Sequence, residues 1–470
     1  MILSQFAQKY KNIIYIIISI IFFLISFLSI ELNSNFFPLW ENTVTDYIQD
    51  VDLPFLKDKK IFFDLSYSLL FFIIIFYLID QIKNNFFRFN LKIIFVIKNF
   101  FSLFIIIFYE RNSGLDQNLY YDILSNKKIW VHHFGYLPST FEINNGTNNF
   151  LLLYKYLFFL FSDSWFLVKI YTNLFYIGIV YFSYKIFLKF NNYHSLFAFY
   201  FISLIPSIFI FSSIMTKDII ILFFIQISLY QFINILDFKI KNKLLNLLII
   251  LFSITIISLI RSWIGFIMLL SFLISFLIIK IKKNNLFSKY NIIHLILISI
   301  SLSLLFYFFI ESSYWILKAK PIIVDSIYFR IYSWQGFDSN HYKILGYNSA
   351  NLQELLSNEL IKMILLTLFN PFLDYINKFN YYPLIIENLL FFFIILFTIF
   401  AFFKHKTSHK IYLFLILLLI LYSLVYSYAG GFLNPGTSFR YATQIRYPIL
   451  IVLFSINYPI LKKFYFNRWI

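Results

Sequence analysis

Apolar runs recur along the whole chain at a length typical of membrane-spanning helices. A run of about 18 residues can cross a hydrocarbon core roughly 30 Å thick, and in lipid the backbone must satisfy its own hydrogen bonds within a helix. The pattern therefore predicts an all-α, polytopic transmembrane helix bundle of about 12 spans. The expected spans are roughly 13–30, 61–80, 93–109, 165–188, 195–214, 219–236, 244–260, 264–280, 292–310, 385–403, 411–428 and 445–461.

The charges of the connecting segments predict the orientation of these spans. If the N-terminus is cytoplasmic, the segments on that side hold 20 Lys and Arg residues against one acid, Asp237. The opposite segments hold 16 basic and 18 acidic residues. Because positive residues accumulate in cytoplasmic loops, we expect both termini in the cytoplasm of a cell, most simply at a bacterial inner membrane.

Three long segments, 31–60, 110–164 and 311–384, all fall on the predicted outer side. Two of them contain apolar pieces that are too short to span, 150–161 and 360–373, and each is expected to form a helix in the membrane interface. The working surface of the protein is therefore predicted to be the outer one.

Composition agrees with a membrane protein and removes other classes. Hydrophobic residues make up 60% of the chain and charged residues only 13%, whereas soluble domains carry roughly a quarter charged residues. The net charge of +17 follows the loop pattern and does not form a stripe, which argues against nucleic acid as a partner. The chain has no Cys, so thiol catalysis and disulfides are excluded.

Ionisable groups gather at the predicted outer ends of the helices. Charged side chains near a membrane are costly, so they are candidates for functional residues. A carboxylate there can act as a general base towards a hydroxyl, and Arg or Lys can neutralise a phosphate leaving group. If the four stretches that hold these groups converge, they suit a substrate whose lipid tail stays in the bilayer. The candidate residues are Asp116, Tyr120, Asp122, Lys217, Asp218, Arg261, Arg440 and Arg446.

Short motifs around these residues resemble GT-C-type glycosyltransferases, which are polytopic enzymes that use polyprenyl-phosphate-linked sugars. The run Gly114-Leu-Asp116-Gln-Asn-Leu-Tyr120 is similar to their Gly-x-Asp-Glu-x-x-Tyr opening, and Thr216-Lys217-Asp218 resembles their second acidic corner. Arg446-Tyr447-Pro448 is similar to the start of one of their late spans. The pair here is Asp-Gln where the family has Asp-Glu, so a second carboxylate is missing from a place that could bind metal.

The resemblance implies a GT-C-like core at 91–310 that carries the outer loop 110–164. Two transmembrane helices in 1–90 precede this core, and the large outer loop 311–384 and the C-terminal helices 385–470 follow it.

The implied activity is inverting transfer of a sugar from a polyprenyl-phosphate donor to a lipid-linked or glycan acceptor, in cell-surface polysaccharide biosynthesis. Asp116 would deprotonate the acceptor hydroxyl. Lys217, Arg261 and Arg440 would hold the departing phosphate, and Asp122 and Asp218 would orient sugar hydroxyls or a divalent cation. Tyr120 and Arg446 would also contact substrate.

Two alternatives stay open. An O-antigen polymerase-like enzyme, which joins diphosphate-linked repeat units, shares the span count and the large outer loop, and Lys318, Lys320 and Arg330 fit that reading. A transporter or lipid flippase would show inverted repeats and charged or broken helices at mid-membrane depth. We find no convincing repeat, and the mid-depth positions of the spans are nearly uncharged.

Overall fold

The computed structural model describes residues 61–108, 149–154, 165–236, 243–281, 368–369, 382–405, 411–428 and 435–466. Helices occupy nearly all of these ranges, and no strand occurs within them. The predicted all-α class is thus confirmed for the described part of the chain. The predicted spans 13–30 and 292–310 lie outside it, as do most of the long segments that were expected on the outer side.

Most described helices lie within a few residues of the predicted spans, but the helix Asn85–Phe108 begins eight residues before the predicted 93–109, and the span 195–214 is interrupted. The described helices are α1 (Ile61–Asp80), α2 (Asn85–Phe108), α3 (Trp165–Phe190), α4 (Leu196–Ser203), α5 (Pro206–Phe211), α6 (Lys217–Leu236), α7 (Lys243–Ile260), α8 (Ser262–Ile281), α9 (Tyr382–His405), α10 (Ile411–Tyr428) and α11 (Pro435–Phe466).

Four of these helices are long and apolar enough to cross a membrane. They are α6, α7, the part of α9 up to Phe403, and Arg440–Lys462 of α11. Shorter apolar stretches lie in α1, α8 and α10. By helix length and composition the chain is an all-α membrane protein.

Exposed apolar side chains on α7 and α9 support the same conclusion. Leu244 is 71% exposed, Phe393 65% and Phe403 76%. Leaving a side chain of this size exposed to water costs about 1.5–3 kcal/mol relative to burying it. Exposure to hydrocarbon does not carry that cost. These faces therefore suit contact with lipid chains.

The predicted span 195–214 is not one continuous helix. Helix α4 ends with a C-cap at Leu204, Ile205 has ψ 123°, and Pro206 opens α5. A proline has no backbone N–H and disfavours helical geometry in the residue before it, so the interruption falls where the sequence places Pro206. A turn, residues 212–216, then leads into α6.

Helix α11 starts ten residues before the predicted span and contains two internal prolines, Pro448 and Pro459. Pro459 cannot donate to the carbonyl of Ser455, four residues earlier. The side-chain amide of Asn191 donates to that carbonyl at 2.7 Å. The hydrogen bond that the helix loses is therefore replaced from outside it.

The chain divides into two compact units. Described residues up to Tyr184, together with His194–Phe223, form the first unit, and Lys185–Tyr193 with the described residues from Phe224 onward form the second.

In the first unit, α1 and α2 are joined by an ion pair between Lys92 and Asp80 and by stacking of Phe72 on Phe95 at 5.0 Å between ring centroids. Charged and aromatic contacts therefore fasten the same helix pair.

An aromatic cluster forms part of the core of the second unit. The ring of Phe232 on α6 lies 4.7 Å from Phe272 on α8 and 5.1 Å from Phe414 on α10, and the last two rings stack at 4.5 Å. Aromatic pairs at such distances contribute about 0.5–1.5 kcal/mol beyond the burial of their area. The cluster therefore ties three helices of this unit together.

Candidate functional site

Two of the predicted cations, Arg261 and Arg440, meet at one aromatic ring in the second unit. The guanidinium carbon of Arg261 lies 4.4 Å from the centroid of the Tyr441 ring, and that of Arg440 lies 5.4 Å from it. Both distances are in the range of cation–π attraction. The tyrosine thus brings together two arginines that are far apart in sequence and would otherwise repel each other.

Arg261 is placed by a tight helix-to-helix junction. Its N–H donates to the carbonyl of Ile257 at 2.7 Å, and its own carbonyl accepts from the N–H of Ile264 at 3.1 Å, so α7 passes into α8 almost without a loop. A Cβ on Gly265 would lie 1.9 Å from Ser258 Oγ and 3.0 Å from Ser258 Cα. Only a residue without a side chain fits this close approach.

Tyr441 is held through its backbone as well as its ring. The hydroxyl of Tyr422 on α10 donates to the Tyr441 carbonyl, and the Tyr422 ring lies 5.8 Å from the ring of Trp263. Trp263 follows Arg261 by two residues, so aromatic contacts connect the α7–α8 junction to α11. We call Arg261 and Arg440, which lie beside Tyr441, the arginine pair.

Arg446, one and a half turns further along α11, has a different environment. It is fully buried at 1% exposure and donates a hydrogen bond to the side-chain oxygen of Asn388 on α9. The buried carboxylate of Glu387 attracts it electrostatically. A buried guanidinium needs such partners, so the contacts described for Arg446 are internal to the bundle.

Lys217 and Asp218 lie in the first unit, where α6 begins. Asp218 is 4% exposed and stands in the first turn of the helix, where a carboxylate is favoured by the helix dipole. The preceding turn is buried as well, and the hydroxyl of Thr216 has no hydrogen-bond partner among the residues that the structure describes.

A buried lysine that the sequence analysis did not single out lies behind this turn. Lys98 of α2 is 0% exposed, and its ammonium donates to the carbonyl of Phe209 at 2.6 Å and to the hydroxyl of Ser213. The rings of Phe101, Tyr176 and Phe209 surround it, with centroids 5.0–5.5 Å from Nζ. The position of Lys98 inside the predicted span 93–109 is the sequence signal that could have identified it.

Polar side chains extend the environment of Lys98 across α2 and α3. Asn173 donates to Asn99 Oδ1 at 2.9 Å and to Ser102 Oγ at 3.1 Å, and Ser102 lies 3.3 Å from Ser213 Oγ. Buried polar groups are stable when they satisfy one another in this way. The network therefore fastens the turn after α5 to two helices.

The helical residues 149–154 overlap the start of the interfacial helix predicted at 150–161. Phe150, Leu151 and Tyr154 are buried, and the Tyr154 hydroxyl shares a 3.2 Å hydrogen bond with Thr172 of α3. Burial raises the pKa of Tyr154 above its ordinary value, so this hydroxyl keeps its proton at neutral pH. The segment is thus packed on α3 through one face.

Three predicted site residues, Asp116, Tyr120 and Asp122, lie outside the described residues, so their assignment stays a prediction. Within the ranges that the structure covers, no group of three or more His, Cys, Asp or Glu side chains could hold a metal ion. The residues that the described structure brings together are thus Arg261 with Arg440 in the second unit, and the sequence neighbours Lys217 and Asp218 in the first.

Comparisons with protein-family models, with curated proteins and with solved structures find no match for this chain. The class that the described fold and the composition define is an all-α membrane protein.

Proposed function

We propose that the protein is a GT-C-like membrane glycosyltransferase of about 12 spans, which uses a polyprenyl-phosphate-linked sugar. The arginine pair is the observation that carries this proposal. Arginine binds phosphate through paired, charge-assisted hydrogen bonds, and two guanidiniums beside one aromatic ring provide enough positive charge for a phosphate monoester or diester. Each arginine is about half-buried, which strengthens its attraction for an anion.

In the proposed reaction an acceptor hydroxyl attacks the anomeric carbon of the sugar, and the bond from that carbon to the phosphate oxygen breaks. The hydroxyl proton passes to the carboxylate of Asp116, and the negative charge stays on the departing polyprenyl phosphate. Arg261 and Arg440 stabilise that charge as it develops. The configuration at the anomeric carbon is therefore inverted.

The other candidate residues have substrate-binding roles in this proposal. The carboxylates of Asp122 and Asp218 bind sugar hydroxyls or a divalent cation, Lys217 binds an anionic part of the substrate, and Tyr120 contacts the sugar. Arg446 already binds Asn388, so its contribution is proposed to come through the shape of α11.

The acceptor is proposed to be a lipid-linked or glycan chain in cell-surface polysaccharide biosynthesis. The charge asymmetry of the loops supports a reaction on the outer face of a bacterial inner membrane, with both termini in the cytoplasm.

The test is transfer by purified protein in lipid vesicles, with a panel of polyprenyl-phosphate sugars and diphosphate-linked repeat units. We expect a glycosylated product from a monophosphate donor, with activity reduced at least about a hundredfold by Asp116→Asn. Arg261→Lys and Arg440→Lys keep the charge but lose the two-pronged geometry, and should weaken donor use about tenfold each. Arg88→Lys, at an exposed pair with Asn85, is the matched control.

Product from diphosphate-linked units alone would assign the protein to the O-antigen polymerase-like class instead. Undiminished transfer by the Asp116→Asn variant would remove that residue from the mechanism.

A second candidate function is transport of an anionic lipid or solute. The interruption at Leu204–Pro206 and the buried Lys98 within α2 favour it, because transporters use broken helices and intramembrane charges at their binding sites. Movement of a lipid-linked sugar across vesicles with no covalent product would support transport over transfer.

A further inference from the structure

The interrupted helix α4–α5 leaves backbone carbonyls without helical partners inside the first unit. Such groups are tolerated at membrane depth when protein side chains satisfy them. The Tyr176 hydroxyl donates to the carbonyl of Ser203 at 2.6 Å, and the Lys98 ammonium donates to the carbonyl of Phe209 at 2.6 Å. A side-chain donor from another helix therefore serves the end of each short helix.

The contacts of Lys98 go beyond those of a simple cap. Its second hydrogen bond reaches Ser213, which lies in the turn itself, and the Tyr176 ring that contacts its ammonium belongs to the residue that binds Ser203. A cation at the C-terminal end of a helix is also stabilised by the carbonyl dipoles there. Lys98 thus connects the last turn of α5 to the chain that enters α6.

The described backbone hydrogen bonds of the turn are local. Ser213 N–H donates to Ile210 at 3.0 Å and Ile214 N–H donates to Phe211 at 3.2 Å, which are contacts within the turn and α5. The contacts described between Ser213 and the neighbouring helix α2 are those to Lys98 and Ser102. Residues 217 and 218 follow within five positions of Ser213.

We infer that Lys98 is a positioning residue for Lys217 and Asp218: its bonds to the Phe209 carbonyl and the Ser213 hydroxyl fix the turn that carries them. The inference rests on the proposed function for the role of Lys217 and Asp218. The position of the turn itself can be measured without any substrate.

The sequence has no Cys, so a single introduced cysteine can report the position of the turn. Thr216 is buried at 3% exposure, so a Thr216→Cys variant should react slowly with a thiol reagent in vesicles. Adding Lys98→Met removes both side-chain bonds to the turn, and we expect the labelling rate to rise at least about tenfold. Arg88→Met, on the same helix but at an exposed pair with Asn85, should leave the rate near that of the parent.

A second pair of variants keeps the test valid if Lys98→Met fails to fold. Ser213→Ala removes the hydroxyl that binds Lys98 and should raise labelling several-fold. Ser212→Ala removes a hydroxyl that bonds to Ile208 in its own helix and should not. Labelling of Ser213→Ala at the rate of the parent would overturn the inference, whether or not Lys98→Met folds.

The transfer assay separates this inference from the proposed function. Lys98→Met should weaken donor affinity and lower the turnover number, because Lys217 and Asp218 would be displaced, and Lys98→Arg should restore part of both. Absence of transfer by the parent protein would overturn the glycosyltransferase proposal, whereas faster labelling of position 216 would still show that Lys98 holds the turn. Full turnover by a Lys98→Met protein whose position 216 labels rapidly would overturn the functional part of the inference.

Discussion

The guanidinium of Arg261 lies 4.4 Å from the centre of the Tyr441 ring, and this contact joins the α7–α8 junction to the first turns of α11. The two residues are 180 positions apart in the sequence. The ring holds Arg261 near Arg440, so two guanidiniums lie on one side chain, as an anion-binding pair requires.

Replacing Tyr441 separates the role of the ring from that of its hydroxyl. Tyr441→Phe keeps the cation–π surface and should leave donor affinity within about twofold. Tyr441→Leu removes an attraction of about 0.5–2 kcal/mol, so donor affinity should fall by roughly 2- to 30-fold in a titration with labelled lipid phosphate. Equal affinities for the Phe and Leu variants would show that the ring does not organise the arginines.

The bond from Asn191 to the Ser455 carbonyl predicts a specific dependence on Pro459. Asn191→Leu should lower the free energy of unfolding by about 1–3 kcal/mol, because a buried carbonyl loses its donor. In a Pro459→Ala background the alanine N–H can bond to the same carbonyl, so the cost of Asn191→Leu should be much smaller. Thermal unfolding of the four proteins in detergent measures this, and equal costs in the two backgrounds would contradict it.

Gly265 should be among the least replaceable small residues of the second unit. An alanine there would place its Cβ against Ser258, including a backbone atom 3.0 Å away, and should cost about 1–3 kcal/mol of stability. Gly178→Ala is the comparison, since the nearest atoms to a Cβ at that position belong to the Phe223 ring and none is a backbone atom. Equal melting temperatures for the two variants would argue against the close approach at Gly265.

The orientation expected from the loop charges can be tested in the same cysteine-free chain. Asn192→Cys lies at an exposed position between α3 and α4 and should react with a membrane-impermeant thiol reagent only after the cells are opened. Ser139→Cys, in the predicted outer segment, should react in intact cells. The reverse pattern would show that the topology is inverted. It would therefore contradict the proposed reaction on the outer face.

Hydropathy and residue identity were enough to predict the membrane class and most helix positions. The segments 61–80, 219–236, 244–260 and 411–428 match described helices to within two residues, since an apolar run long enough to cross lipid has little choice but to form a helix. The sequence also marked Arg261 and Arg440 as unusual, because charged groups at the ends of spans are visible without knowledge of packing.

Tertiary structure alone decided which of these groups have partners and what those partners are. Nothing local connects Arg261 with Tyr441, Lys98 with Ser213, or Asn191 with the carbonyl left open by Pro459. Hydropathy reports how each segment partitions between water and lipid, one stretch at a time. Contacts between distant segments depend on which helix faces meet, and that is set by the packing of many side chains at once.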